Sequence, residues 1–150
     1  MKLKIRQQDD PCLKERCRPI SKVGIPERLI VSSLLDTLQD HKGWGLAAPQ
    51  VGVNEQIFVI TIDGDILAVI NPVITKKIGT SVMEEGCLSI PRKQIKVERP
   101  EEIEVEFLDL HGQTVVMKLS GVWARVFQHE YDHLQGILIT DYENTLSKAS

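Results

Sequence analysis

This chain has little of what would direct it to a membrane, a secretory route or a nucleic acid. Only three of its 150 residues are cysteine, too few for the disulfide framework of a small secreted domain. No apolar run approaches the roughly 20 residues that a helix needs to cross a bilayer. The first ten residues, Met1 to Asp10, lack the apolar core of a secretory signal. Neither sign of charge dominates: 18 Lys and Arg face 21 Asp and Glu, for a net charge of −3 and a pI near 5.8, which gives no electrostatic reason to expect nucleic-acid binding. Internal repeats and low-complexity segments are absent. What remains is a chain expected to form one domain, residues 1–150, with a substantial core. A reducing, cytoplasmic setting suits its cysteines.

The patterning is that of an α+β protein. Ile25 to Asp40 reads as an amphipathic helix, with Pro26 in its first turn and Ile30, Leu34 and Leu38 recurring every four residues. Gln56 to Ile62 and Ile66 to Asn71 read as strands either side of a turn at Asp63-Gly64-Asp65. Ile103 to Leu108 and Thr114 to Leu119 form a second pair about the turn Asp109-Leu110-His111-Gly112. A last helix is predicted from Gly121 to Gln135, capped by Ser120 and ended by Gly136. The tail from Ile137 to Ser150 is expected to add one strand and then fray.

Histidine is scarce, four in all, and two of the four stand in His129-Glu130-Tyr131-Asp132-His133. On a helix, residues four apart share a face, so both imidazoles can reach one metal ion while Glu130 serves as general base toward a water held there. The pattern fixes three positions only; its plain alternative is a polar helix face that carries two histidines. A catalytic site needs a third ligand and an open position. A further histidine six residues after His133 would mark one protease class, but Ile139 stands there. Downstream, Glu143 is too close in sequence to fold back. His41 and His111 read as a helix end and a turn. Cys87 is the better candidate, in Glu84-Glu85-Gly86-Cys87-Leu88-Ser89-Ile90-Pro91, because thiolate and imidazole together suit Fe(II) or Zn(II). Cys12 and Cys17 read as packing or surface thiols.

Three segments stand in order along the chain: Gly43-Trp44-Gly45-Leu46-Ala47-Ala48-Pro49-Gln50, Glu85-Gly86-Cys87-Leu88-Ser89, and Gln128-His129-Glu130-Tyr131-Asp132-His133. Together they resemble the three signature motifs of the peptide deformylases, G-x-G-x-A-A-x-Q, E-G-C-x-S and Q-H-E-x-D-H. Asp10-Pro11-Cys12-Leu13, Arg18-Pro19-Ile20 and Ile70-Asn71-Pro72 extend the likeness over nearly the whole chain.

The resemblance implies antiparallel sheets packed around a central helix that carries the third motif. It implies one divalent ion on Cys87, His129 and His133: Fe(II) in the cell, with Zn(II), Ni(II) or Co(II) possible in purified protein. Hydrolysis of the formyl group on an N-terminal formyl-methionine is the implied activity, with Glu130 as base and then acid. The Gln50 side chain and the Leu88 backbone N–H would donate to the developing oxyanion. The Gly45 backbone would pair with the extended peptide, and Trp44, Val122 and Val126 would line the methionine pocket. Asp132 is expected to support the site from behind, and Arg99 to pair with Glu84 or Glu85. Newly made formylated peptides are the implied partners, with at most transient ribosome contact and neither nucleic acid nor membrane.

Some positions depart from the family pattern. Trp44 is bulkier than the aliphatic residue usual between the two glycines, and Trp123 stands where an aliphatic residue is usual. The 17 residues beyond His133 leave little room for the further helix that many bacterial members use at the ribosome. Two other classes compete: an endopeptidase built on H-E-x-x-H, disfavoured without a downstream ligand, and a silent metal- or nascent-chain-binding protein, disfavoured by intact Gln50 and Glu130.

Overall fold

The computed structural model describes residues 1–146, and these form two α-helices and seven β-strands. Helix α1 spans Ile25–His41 and α2 spans Gly121–Leu134. The strands are β1 (Gly45–Ala47), β2 (Ile57–Ile62), β3 (Asp65–Ile78), β4 (Ser81–Cys87), β5 (Ile90–Arg99), β6 (Glu102–Leu108) and β7 (Thr114–Ser120). All their pairings are antiparallel. One sheet has the order β1-β2-β3-β6-β7, and β4 and β5 form a separate hairpin. The α+β class read from the sequence is the class observed.

Strand β2 lies at the centre of the core because it is apolar on both faces. Phe58, Ile60 and Ile62 pack with Phe127, Ala124 and Leu134 of α2, while Ile57 and Val59 pack with Val31, Leu34 and Leu38 of α1. Phe58 and Phe127 meet edge to face with centroids 5.0 Å apart, a favoured arrangement for buried rings. The half-buried Trp123 joins the same cluster. A third cluster ties the hairpin, through Ile90, Ile95 and Val97, to Leu13, Leu138 and Ile139. No helix among the described residues is long and apolar enough to cross a membrane.

The turn after β2 uses Asp63 and Gly64, with φ of 52° and 85°, as a two-residue hairpin requires. Strand β3 runs on to Ile78 rather than ending near Asn71. The sequence signal breaks at Asn71-Pro72, but a register shift between Ile70 and Val73 absorbs them, as bulges do for proline. Asn71 binds both the N–H and the C=O of Ile20, at 2.8 and 2.7 Å, and so fastens the N-terminal segment.

Two further expectations are corrected. Among the described residues the tail forms no strand: Asp141 accepts from the Leu138 N–H at 2.8 Å and closes a 3-10 turn at Ile139–Tyr142. Residues 147–150 of the expected frayed end lie outside the described residues. Ser120 occupies the cap position of α2, but its side chain makes no capping hydrogen bond; it is the last ladder residue of β7, paired with Glu102. The hairpin β4–β5 went unread because its inward positions include Glu85 and Arg99, which erase the apolar alternation of a half-buried strand.

Cys12, Cys17 and Cys87 are free thiols. Burial, reinforced by nearby carboxylates, pushes Cys12 and Cys17 up to about 11. Only about one part in 10³ of each is then thiolate at pH 8, and the thiolate is the reactive form. Native protein is expected to take up iodoacetamide at these two positions more than about tenfold slower than unfolded protein, as read by peptide mapping. Equal rates would contradict their packing role.

Candidate active site

The last two turns of α2 project His129 and His133 from one face, with ring centroids 5.1 Å apart. Cys87, ending β4, brings its Sγ to 3.5 Å from His133 Nε2. Donor atoms of Cys87, His129 and His133 all lie within 4.8 Å of one another, and no other such set of three is found among the described residues. One thiolate and two imidazoles in this proximity form a donor set suited to a single Fe(II)- or Zn(II)-type ion. His41 and His111 stay apart, as expected: the first lies 2.9 Å from the Thr37 carbonyl at the end of α1, the second in the turn after β6. Glu143 pairs with Lys93 at 2.7 Å.

Behind the donor set lies a buried charge network. The Glu85 carboxylate stands 2.9 Å from His129 Nδ1 and accepts from Arg99 at 2.6 and 2.8 Å and from Arg125 at 2.8 Å. Burial alone would raise the Glu85 pKa, but these partners hold it well below the usual carboxylate range. Fixing a proton on His129 Nδ1 leaves Nε2 as the ligating atom, the usual service of such a partner. Arg99 continues to Asp132 at 2.8 Å, where the Tyr142 hydroxyl also donates at 2.6 Å. Arg125 donates to the Val97 and Ser81 carbonyls and to the Ser81 hydroxyl. Helix and hairpin are thus joined through buried charge and hydrogen bonds.

Glu130 is buried, and its Oε1 has no partner among the described residues. Burial pushes its carboxyl up to about 7 against the opposing charge of His129. Gly45 lies directly against it: a Cβ there would sit 2.5 Å from Glu130 Oε2. Gln50, also buried, is pinned by its own loop. Its Oε1 accepts from the Ala47 N–H at 3.0 Å, and its Nε2 donates to Ser89 Oγ at 3.1 Å while lying 3.7 Å from Cys87 Sγ. Gly45, Gln50, Glu85, Cys87, Arg125, His129 and Glu130 border one cleft of about 620 Å³ between β1, the β4–β5 hairpin and α2.

A model of the polypeptide deformylase family matches residues 2–149. The chain belongs to the peptide deformylase family. It is 40% identical over 141 residues to peptide deformylase 1 of Clostridium perfringens, covering 93% of this chain and 96% of that one. The crystal structure of the Thermotoga maritima peptide deformylase superposes with a TM-score of 0.92 at 40% identity, covering 94% of this chain and 97% of that one. A class I type b peptide deformylase from Acinetobacter baumannii, bound to Met-Ala-Ser, superposes with a TM-score of 0.90 at 28% identity, covering 94% and 98%. Peptide deformylases are hydrolases, and the chain is an enzyme of that class.

Seen as a peptide deformylase, the chain brings together most of the residues singled out from its sequence. Gly45, Gln50, Cys87, Leu88, His129, Glu130, Trp44 and Val126 all line the cleft, and His133 lies buried behind them. Trp44 is 55% exposed, at the mouth rather than in the depth. Val122 is a correction: it is exposed on the first turn of α2 and outside the cleft. The wall position one turn before His129 belongs to Arg125, four residues away and on the same face. Arg99 takes Glu85 and not Glu84. Asp132 supports the site through Arg99 and Tyr142 rather than by touching a histidine.

Sequence reasoning missed Arg125 and Ser89; the serine of the second motif was the available signal for the latter. It also left Glu85 without its role toward His129. Glu85→Ala is expected to cost about 3–5 kcal/mol of stability, since buried Arg125 loses its only anion and Arg99 keeps Asp132 alone. Metal affinity should fall about 10–100-fold as His129 loses its anchor. Denaturant melts and chelator competition read the two effects separately, and unchanged affinity would remove Glu85 from the site.

Proposed function

We propose that this chain removes the N-formyl group from the formyl-methionine that begins newly made polypeptides. The observation that carries this reading is the convergence in one cleft of the Cys87–His129–His133 donor set, the unpartnered Glu130 carboxylate and the pinned Gln50 amide. Cys87, His129 and His133 would hold one divalent ion, Fe(II) in the cell, with Zn(II), Ni(II) or Co(II) able to replace it in purified protein. When bound, such an ion supplies Lewis acidity, which acidifies a water and polarises the formyl oxygen.

The chain's own residues supply the proton traffic and the positioning. Glu130 accepts a proton from the attacking water and passes it to the amine nitrogen as the C–N bond breaks, so that one amide and one water become formate and a free α-amino group. Its raised pKa, about 7, suits a group that must first take and then give that proton. Gln50 Nε2 and the Leu88 backbone N–H donate to the developing oxyanion; loss of one such donor typically costs about 10²–10³ in rate. Strand β1 ends its sheet with one edge open, and the Gly45 backbone there pairs with the extended peptide. Val126 and Trp44 flank the methionine side chain. Contact with the ribosome is transient in this reading. A reducing, cytoplasmic compartment suits three free thiols, one of them a metal ligand.

Protein purified without oxygen is expected to release formate from formyl-Met-Ala-Ser. A chelator should abolish the activity, and added Fe(II) should restore it. Air should inactivate the Fe(II) form as Cys87 is oxidised. Protein that holds its metal yet leaves the formyl group in place would overturn the reading, and cleavage of unformylated internal bonds would favour an endopeptidase.

A further inference from the structure

Four cations line the cleft: Lys42, Arg92, Lys93 and Arg125. Arg125 is committed to Glu85 and Ser81, and Lys93 to Glu143. Lys42 and Arg92 are exposed, and among the described residues neither has an ion-pair partner. Of the anions on the same walls, Glu85 is neutralised by two arginines and Glu130 belongs to the reacting centre. Glu84 faces Lys96 in register across the hairpin. Two unspent positive charges therefore outweigh the one exposed carboxylate.

The two cations stand on opposite banks. Lys42 ends α1 just before β1, and Arg92 follows the Leu88–Ser89 turn that links β4 to β5. The banks meet where a Cβ on Gly43 would lie 3.1 Å from Leu88 Cδ1, which sets the Lys42 corner beside that turn. Gly45 touches Glu130, and Lys42 is three residues back along the chain, at most about 10 Å away when extended. An extended peptide rises about 3.3 Å per residue. With its formyl carbon at Glu130, its third and fourth residues lie about 10–13 Å along the cleft that Lys42 and Arg92 both border.

Resting on the deformylase reading, we propose that Lys42 and Arg92 are specificity-determining residues that favour nascent chains with an acidic side chain at the third or fourth position. Exposed charge pairs are individually weak and screened by salt. The selection therefore acts on capture of the peptide, through kcat/KM, and leaves the turnover of bound substrate alone.

The test compares C-terminally amidated formyl-Met-Ala-Glu-Ser and formyl-Met-Ala-Lys-Ser, so that no terminal carboxylate contributes. At low ionic strength kcat/KM should favour the Glu peptide by roughly tenfold, and the ratio should shrink toward one in high salt. In the double variant Lys42→Glu, Arg92→Glu the ratio should invert. A ratio near one in wild type at low salt, or a preference that survives the double reversal, overturns the proposal. Release of formate from neither peptide by metal-loaded protein would instead sink the deformylase reading, and this proposal with it.

Discussion

Glu130→Gln is expected to bind its metal ion as the wild type does and to hydrolyse formyl-Met-Ala-Ser about 10²–10⁴-fold more slowly, with the loss in kcat. The substitution is nearly isosteric, so the packing of α2 against Phe58 and the rest of the core is kept. None of the three donor residues is altered. What disappears is the capacity to hold a proton at Oε1, the one buried carboxylate oxygen here that no described group satisfies except Glu55 Oε2, which lies outside the cleft. A formate-release assay beside metal analysis of the same sample separates the two effects. Activity within tenfold of wild type at full metal occupancy would show that another group moves the proton. Loss of metal along with activity would show that the variant reports on the site's architecture instead.

Gly45→Ala should be nearly as damaging without replacing a single catalytic side chain. The added methyl would fall 2.5 Å from Glu130 Oε2 and 2.9 Å from its Cδ and Cγ, distances that carbon atoms in proteins do not tolerate. Glu130 cannot swing clear as a surface side chain would, because it is buried on a helix that is itself packed into the core. Either the carboxylate or β1 must shift. Displacement of about 1 Å in a reacting group can cost about 10² in rate, and that is the expected loss, with metal content retained. Wild-type rates in the alanine variant would mean that Glu130 rests elsewhere when substrate is bound.

Gly45 illustrates how much of the site can be read without coordinates. Its place in the first motif implied a backbone role toward the peptide, which any glycine on an edge strand allows. The contact with Glu130, 85 residues later in sequence, is invisible to periodicity and spacing. The His129/His133 pair behaves oppositely. Helical geometry alone puts residues four apart on one face, so the donor pair was legible from five letters. Cys87 followed from elimination and from the family likeness. Val122 failed by the same helical logic that found the histidines, since the rule gives the face but not how far along the helix the cleft extends.

The local rules of the chain thus determined the two helices, four of the seven strands and the chemistry of the third motif, because each depends on neighbours within a turn or a hairpin. Tertiary structure decided what those rules cannot reach. It paired Glu85 with His129, Arg99 and Arg125, and so made a residue expected at most to pair with Arg99 the buried anchor of the site. It carried β3 through Asn71-Pro72, where the bulge is supported by the distant backbone of Ile20. It also laid Lys42 and Arg92 on facing banks. A charge acts through space at a range of several ångströms, whereas the sequence records distance only along the chain.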